Sequence, residues 1–425
     1  MKKWICGLLA AALSLGMAPA ALAEDYSAKA EARGLEVRDG MIVVNDDISV
    51  SADYDWTRLA DQKVTLNVYN WGLYISDGSD ESVDVITAFE KLTGIDVNYT
   101  TYDSNESMYA KIKSGGASYD VVVPSDYMIG KLIKEDMLLP LHYENIPNAA
   151  RISPQYRGLE YDPADAYSVP YTWGIVGLIY NTAMVEEAPT SWADMWDPRY
   201  TGSILMFNNS RDAVAIAAKK LGMSLNPANA EEVELCMNEL KAQKDLVQAY
   251  VMDEIFDKMA GGEAALAPYY AGDAITMIQD NPDLAFVFPE EGSNLYVDAM
   301  CIPKGCRNQE AAEMFINYMC ETDVAAANCD YTGYSTPIDE VWENLDDELK
   351  YSPIAYPDED VIARSEVFTT LPDDVNTAMD QAWSDMKSYD ENGSGWMVVG
   401  LLMIALALSC FNIWRKLRAK MRNDY

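Results

Sequence analysis

From Val64 onward the sequence alternates short β-type runs with amphipathic helical stretches, and that alternation limits the chain to one broad class of fold. Val64–Tyr69 reads as a strand. Ser82–Thr93 follows as a helix whose apolar positions Val83, Val85, Ile86, Phe89 and Leu92 share one face. Gly94 stands where a glycine ends a helix in the left-handed conformation. Ile95–Thr101 is a second strand, Glu106–Ser114 a helix, and Tyr119–Val123 a third strand, with another helix over 128–137. Strands separated by such helices predict an α/β fold with a substantially parallel sheet. A chain of 425 residues exceeds what one hydrophobic core usually accommodates, so two lobes are expected.

Ligands on α/β sheets lie at the carboxyl ends of the strands. Three strand-end segments carry polar or aromatic side chains where a core would want none. They are Asn70-Trp71-Gly72-Leu73-Tyr74, Ser125-Asp126-Tyr127, and Asn208-Asn209-Ser210-Arg211-Asp212. Tyr269-Tyr270-Ala271-Gly272-Asp273 and Tyr296-Val297-Asp298 have the same character. The chain contains 27 Tyr against 8 Phe. Surface positions without a ligand role are the expectation for most of these tyrosines, but a ring with a polar edge also suits a half-wet cleft. No nucleophile elbow, phosphate loop or HExxH helix is present, so no catalytic residue, metal ligand or cofactor is expected. Aromatics and carboxylates without that machinery favour binding over catalysis. Trp192 and Trp196 are expected in the core of the second lobe.

The formal charge is −37, which opposes a nucleic-acid partner and favours cations. Basic residues gather at the two ends, each beside an apolar run. Residues 1–23 read as a signal peptide: Lys2-Lys3, an apolar stretch, then Ala21-Leu22-Ala23 before an acidic start. Residues 396–414 carry no charge, lie between two tryptophans, and would span roughly 28 Å as a helix. The basic tail 415–425 follows, so the segment reads as a single transmembrane helix with a cytoplasmic C-terminus. The acidic body then lies on the extracellular (or periplasmic) side of the cell membrane. Residues 24–63 read as a polar, acidic spacer or accessory arm with one apolar patch at Met41–Val44. Cys236, Cys301, Cys306, Cys320 and Cys329 lie in that body, where bridges such as Cys301–Cys306 or Cys320–Cys329 are permitted but not chosen by spacing. With His142 as the sole histidine, a zinc site is not expected, and His142 reads as a surface loop residue.

Several segments resemble the spermidine/putrescine-binding proteins of ABC importers. They include Val68-Tyr69-Asn70-Trp71, Phe89–Ile95, Tyr102–Lys111, Tyr119–Ser125, Ser168–Gly174, Thr190–Asp194 and Gly333–Pro337, in order across about 64–390. The resemblance implies a two-lobed periplasmic-binding-protein-like (type II) fold that closes on a hinge. It places 64–172 in lobe 1, 173–297 in lobe 2, 298–340 back in lobe 1, and 341–390 in C-terminal helices closing on lobe 2. Pro170–Trp173 and Tyr296–Met300 would lie near the two crossings. It also implies a polyamine ligand, a membrane permease and a cytoplasmic ATPase as partners. The implied ligand set is Trp71, Tyr74, Ser125, Tyr127, Asp212, Tyr270, Tyr296, Asp298 and Tyr334. Leu73 and Asn209 stand where the family often has acids, and Tyr270 and Tyr296 where it often has Trp. The lost acids favour a dication such as putrescine, while Asp126 and Asp273 beside the site could restore charge for spermidine; the choice stays open. Two other readings remain: a receptor for ferric iron, suggested by Tyr269-Tyr270, and a secreted hydrolase using carboxylates such as Asp212 and Asp298.

Overall fold

The structure, a computed structural model, describes residues 25–388. The segments expected to form a signal peptide (1–23), a transmembrane helix (396–414) and a basic tail (415–425) lie outside the described residues. The chain opens with helix α1 (Ser27–Ala32) and a three-stranded antiparallel sheet of β1 (Glu36–Arg38), β2 (Met41–Val43) and β3 (Ser49–Ser51). The expected spacer is therefore a folded layer. Asp39 and Gly40 both have positive φ (50° and 79°), and Arg38 pairs with Met41 across them, the two-residue hairpin that Asp-Gly favours. Its apolar side chains Ile42, Ile48, Val50 and Trp56 are buried. Trp56 meets Tyr318 edge-on at 6.2 Å, Asp323 Oδ2 accepts from the Ser49 N–H at 2.9 Å, and Arg58 pairs with Glu310 at 2.7 Å.

Lobe 1 begins with β4 (Thr65–Trp71), α2 (Val85–Thr93), β5 (Asp96–Tyr102), α3 (Asn105–Lys113), β6 (Val121–Val122) and α4 (Asp126–Lys134). The sequence placed each of these within a few residues. Asp84 caps α2 by accepting from the Thr87 N–H, and Ser104 caps α3 by accepting from the Ser107 N–H. Each such cap stabilises its helix by about 1 kcal/mol. Gly94 ends α2 at φ 73°, with its N–H on the Glu90 carbonyl. β4 pairs in parallel with β5 and β6.

β7 (Ser168–Asn181) then leaves lobe 1 as one long strand, almost wholly buried, and enters lobe 2. Both of its faces are covered, so its sequence is a continuous apolar run without alternation. Lobe 2 comprises β8 (Ile204–Phe207), α5 (Ser210–Lys220), α6 (Ala230–Gln243), β9 (Val247–Val251), α7 (Glu254–Ala260), β10 (Leu266–Tyr270), α8 (Ala271–Asp280) and β11 (Leu284–Val287). Its strands β10, β8 and β9 are mutually parallel neighbours, and Trp192 is buried beneath them while Trp196 packs half-buried nearby. β12 (Leu295–Cys301) returns antiparallel to β7 and pairs with β6 in lobe 1.

The result is a nine-stranded sheet in the order β5-β4-β6-β12-β7-β10-β8-β9, with β11 on β7. β5, β4 and β6 are parallel in lobe 1 and β10, β8 and β9 in lobe 2, while β7, β12 and β11 make antiparallel pairs, so the parallel expectation holds only for the two outer sets. α9 (Gln309–Met319) and α10 (Thr322–Thr332) complete lobe 1. α11 (Asp339–Asn344) lies on α10; α12 (Asp347–Lys350) and α13 (Glu359–Arg364) follow, and α14 (Asp373–Ser388) packs on α6 and α5 of lobe 2. Among the described residues all five cysteines are free, so neither Cys301–Cys306 nor Cys320–Cys329 is bridged. The four buried ones pack as small apolar side chains. His142 lies half-exposed with Nδ1 3.0 Å from Glu313 Oε1.

If residues 26–63 belong to the core of lobe 1, Trp56→Ala should lower the unfolding free energy by about 3–5 kcal/mol in urea titrations of the full chain. An unchanged midpoint would return this region to the status of a spacer.

Candidate ligand-binding site

Every strand of the parallel sets ends at one cleft between the lobes. Trp71 closes β4, with its indole N–H donating to the Val123 carbonyl at 2.9 Å and its ring 4.7 Å from Tyr102. Ser125 and Tyr127 follow β6. Asn105, at the start of α3, donates from Nδ2 to both the Ser125 and Tyr127 hydroxyl oxygens at 3.1 Å. Tyr127 in turn donates to Glu106 Oε1 at 2.9 Å.

The hinge strands supply the centre. Between Asp298 and Ala299 the register of β12 on β7 shifts, so Tyr171 is the extra residue beside Pro170, which has no N–H to give a ladder. The Tyr171 hydroxyl donates to the Tyr74 carbonyl at 2.8 Å, and Thr172 Oγ1 lies 2.5 Å from the Tyr74 hydroxyl. The bulge therefore holds Tyr74, whose hydroxyl donates to Asp298 Oδ2 at 2.7 Å. The other Asp298 oxygen, Oδ1, is buried without a hydrogen-bond partner. Opposite Tyr296 on β7 stands Gly174, and a Cβ there would collide with the Tyr296 hydroxyl. Only glycine lets that ring lie over the strand.

Lobe 2 contributes three further acids, Asp212, Asp253 and Asp273. Asn209 caps α5 by accepting from the Asp212 N–H at 2.8 Å, and its Nδ2 donates to Asp212 Oδ2 at 2.7 Å. Tyr270, at the end of β10, donates to the same Asp212 oxygen at 2.9 Å. Asp273 lies in the first turn of α8 and accepts from the Tyr334 hydroxyl at 2.9 Å. The rings of Tyr74 and Tyr334 meet edge-on at 4.7 Å, and those of Tyr270 and Tyr296 at 5.3 Å.

All of the residues in the implied ligand set, together with Asp273, line this one cleft of about 640 Å³, its mouth included. Asp126 does not: it is buried at the start of α4 behind the cleft, with Oδ1 accepting from the Tyr127 N–H at 2.6 Å. The compensating role considered for Asp126 therefore falls to other acids. Leu73 is also absent from the lining; its left-handed backbone (φ 49°) leaves the residue 57% exposed. Arg211 lies outside the cleft, its guanidinium 4.3 Å from the Phe368 ring centroid. The sequence reading missed Asn105, Asp253, Asn294 and Phe368, which line the cleft as well, as does Tyr269 from the flagged Tyr269–Asp273 segment. Asn105 and Asp253 follow β5 and β9, so the strand-end rule would have found them had β9 been read. Phe368 comes from the C-terminal segment and has no local signal.

Burial dominates the electrostatics. It pushes the Asp273 carboxyl up to about 8 and the Asp298 carboxyl up to about 6, and it raises Asp212 as well. Side-chain donors oppose these shifts by favouring the ionised forms: Tyr334 at Asp273, Tyr74 and Ser125 at Asp298, and Asn209 and Tyr270 at Asp212. The site is thus a set of acids that burial has made reluctant to ionise, surrounded by ring edges and faces.

A two-lobed α/β body with an aromatic and carboxylate cleft across a strand hinge is the architecture of a solute-binding protein of membrane transport. The bacterial extracellular solute-binding protein family matches residues 84–357, and this chain belongs to it. It is similar to the spermidine/putrescine-binding periplasmic protein of Escherichia coli K12, 35% identical over 309 residues, 72% of this chain and 87% of that protein. It is also similar to the putrescine-binding periplasmic protein SpuD of Pseudomonas aeruginosa, 27% identical over 77% of this chain and 93% of that protein. Among solved structures, a putative spermidine/putrescine ABC transporter protein from Listeria monocytogenes superposes with a TM-score of 0.73. Its identity is 37%, covering 77% of this chain and 99% of that one.

Raised acids leave a signature in the empty protein. The ligand-free fold holds protons on Asp298 and Asp273 at pH values where an unfolded aspartate is ionised, so stability is lost as pH rises through about 6 and then about 8. Urea midpoints of the ligand-free chain should fall across that window, and Asp273→Asn should remove the upper part of the fall. A midpoint that climbs from about pH 6 to about pH 9 would contradict these assignments.

Proposed function

We propose that this chain captures polyamines, putrescine or spermidine, between its lobes and delivers them to an ABC permease and its ATPase. The observation that carries the reading is the pairing of buried carboxylates with tyrosine rings along one narrow cleft. A polyamine is an apolar chain with ammonium groups at intervals, so it wants ring faces for its methylenes and charge-assisted hydrogen bonds at its nitrogens. Asp298 Oδ1, which lacks a donor, is an acceptor for one ammonium. Asp212 and Asp273 on lobe 2 are the acceptors for another, and Trp71, Tyr74, Tyr270, Tyr296 and Tyr334 flank the methylenes. Ser125 and Tyr127 complete the lobe 1 wall. The relatives' names, which give spermidine and putrescine as their ligands, support this assignment.

The cargo also restores what burial costs. An ammonium beside Asp273 favours its ionised form, so binding near neutral pH releases protons and affinity rises as pH rises through about 8. The ferric-iron reading fares worse. Burial raises the Tyr269 and Tyr270 phenols well above their ordinary value, the opposite of what a phenolate pair needs. No group of three or more His, Cys, Asp or Glu among the described residues is arranged to hold a metal ion.

Among the described residues no helix is long and apolar enough to cross a membrane. The reading places the anchor at 396–414 on the strength of its hydropathy and its flanking charges. α14 packs on lobe 2 up to Ser388, with Lys387 Nζ donating to Asn208 Oδ1 at 2.7 Å. Residues 389–395 reach at most roughly 25 Å. Lobe 2 would therefore work close to the membrane surface and to the permease.

Calorimetry of the full chain with putrescine, spermidine and Fe³⁺ tests the ligand class. Polyamine binding should show buffer-dependent heats that report proton release. Asp298→Asn should weaken it by about 3 kcal/mol, on the order of 100-fold in Kd. Binding of Fe³⁺ without any polyamine response would refute the proposal. For the anchor, the full chain should sediment with membranes and a chain ending at residue 390 should be released; equal sedimentation of both would place the membrane attachment elsewhere.

A further inference from the structure

We infer that Asp253 is the residue that selects a triamine over a diamine, by holding the outermost ammonium at the mouth of the cleft. The inference rests on the polyamine reading and concerns an acid that neither the sequence reading nor the resemblance marked.

Four carboxylates line the cleft: Asp212, Asp253, Asp273 and Asp298. The inner three each accept a hydrogen bond from a tyrosine hydroxyl, supplied by Tyr270, Tyr334 and Tyr74 respectively. Asp253 differs in two ways. It is exposed, immediately before α7 in lobe 2, and among the described residues nothing donates a hydrogen bond to its carboxylate. It also reaches across the cleft to lobe 1: a Cβ built on Gly72 would lie 3.0 Å from Asp253 Oδ2. The carboxylate therefore stands directly over the Gly72 backbone, where the two lobes meet at the opening.

The lobe 1 side of that opening offers no lining acid of its own. Gly72 has no side chain, and Leu73 is an exposed apolar residue. Among the described residues, Asp253 is the one carboxylate of the cleft lining beside Gly72, so an ammonium that emerges past Trp71 meets it there. Partial burial raises the Asp253 carboxyl, and the nearby charges of Asp103 and Glu254 raise it further, so the mouth gathers negative charge. The two ammonium groups of a diamine are satisfied by the inner acids. A third group, further along the chain, arrives at Asp253. The charge missing at Leu73 is thus supplied from the opposite lobe.

The test compares two ligands on one variant. Calorimetry on the full chain should find Asp253→Asn about tenfold weaker for spermidine and within about twofold of wild type for putrescine, since the pair is partly exposed. Glu254→Gln, which removes the neighbouring charge outside the cleft lining, should leave the ratio of the two affinities unchanged. Unaltered spermidine affinity in Asp253→Asn, or an equal loss for both amines, would overturn the assignment of Asp253 alone. A wild-type chain that binds neither amine would overturn the polyamine reading itself, so the two failures are distinguishable.

Discussion

The antiparallel pairing of β7 with β12 holds the two lobes to each other and sets the geometry of everything between them. β7 belongs to both halves of the sheet, and β12 joins it to β6 on the lobe 1 side. The one irregularity in that ladder, at Asp298, releases Tyr171 to hold the Tyr74 backbone and brings the Tyr74 hydroxyl onto the Asp298 carboxylate. A regular ladder would have kept all of these side chains in strict alternation, half of them facing away. The same two strands that join the lobes therefore also place the central acid.

Three acids buried in one cleft repel one another and lose hydration, and the fold tolerates them because burial shifts them toward their neutral forms and tyrosines donate to each. That arrangement is unfavourable to the empty protein and favourable to a polycation. A ligand that brings charge of the opposite sign recovers the ionised acids and gains their hydrogen bonds in a site from which water is largely displaced. On the proposed reading, polyamine binding is therefore coupled to proton release from the buried acids. The acidic body and the acidic mouth around Asp253 extend the same logic outward, by drawing cations toward the opening.

Much of this was legible in the sequence because strand ends are local. Asn70–Tyr74, Ser125–Tyr127 and Tyr269–Asp273 each follow an apolar run, and the rule that ligands meet strand carboxyl ends converts them into neighbours. The N-terminal layer was not legible, because strands as short as Met41–Val43 and Ser49–Ser51 carry too few residues to display a period. The Asp39-Gly40 turn between β1 and β2 was its one clear signal. Asp126 was misplaced because adjacency in sequence to Ser125 and Tyr127 says nothing about which way the first turn of α4 faces. Asn209, read as standing where the family often has an acid, caps α5 with its amide and holds Asp212, a role that its position alone does not display. Phe368 reaches the cleft through long-range packing, which a single sequence does not display, whereas Asp253 follows a strand, β9, that the sequence reading did not mark.

The most direct test of the central claim is a crystal structure of the protein grown with spermidine. The account predicts one ligand between the lobes, its methylenes against Tyr74, Tyr270 and Tyr296, with an ammonium within hydrogen-bond distance of Asp298 Oδ1. A ligand bound outside this cleft, or lying in it with its nitrogens away from Asp212, Asp273 and Asp298, would contradict the account.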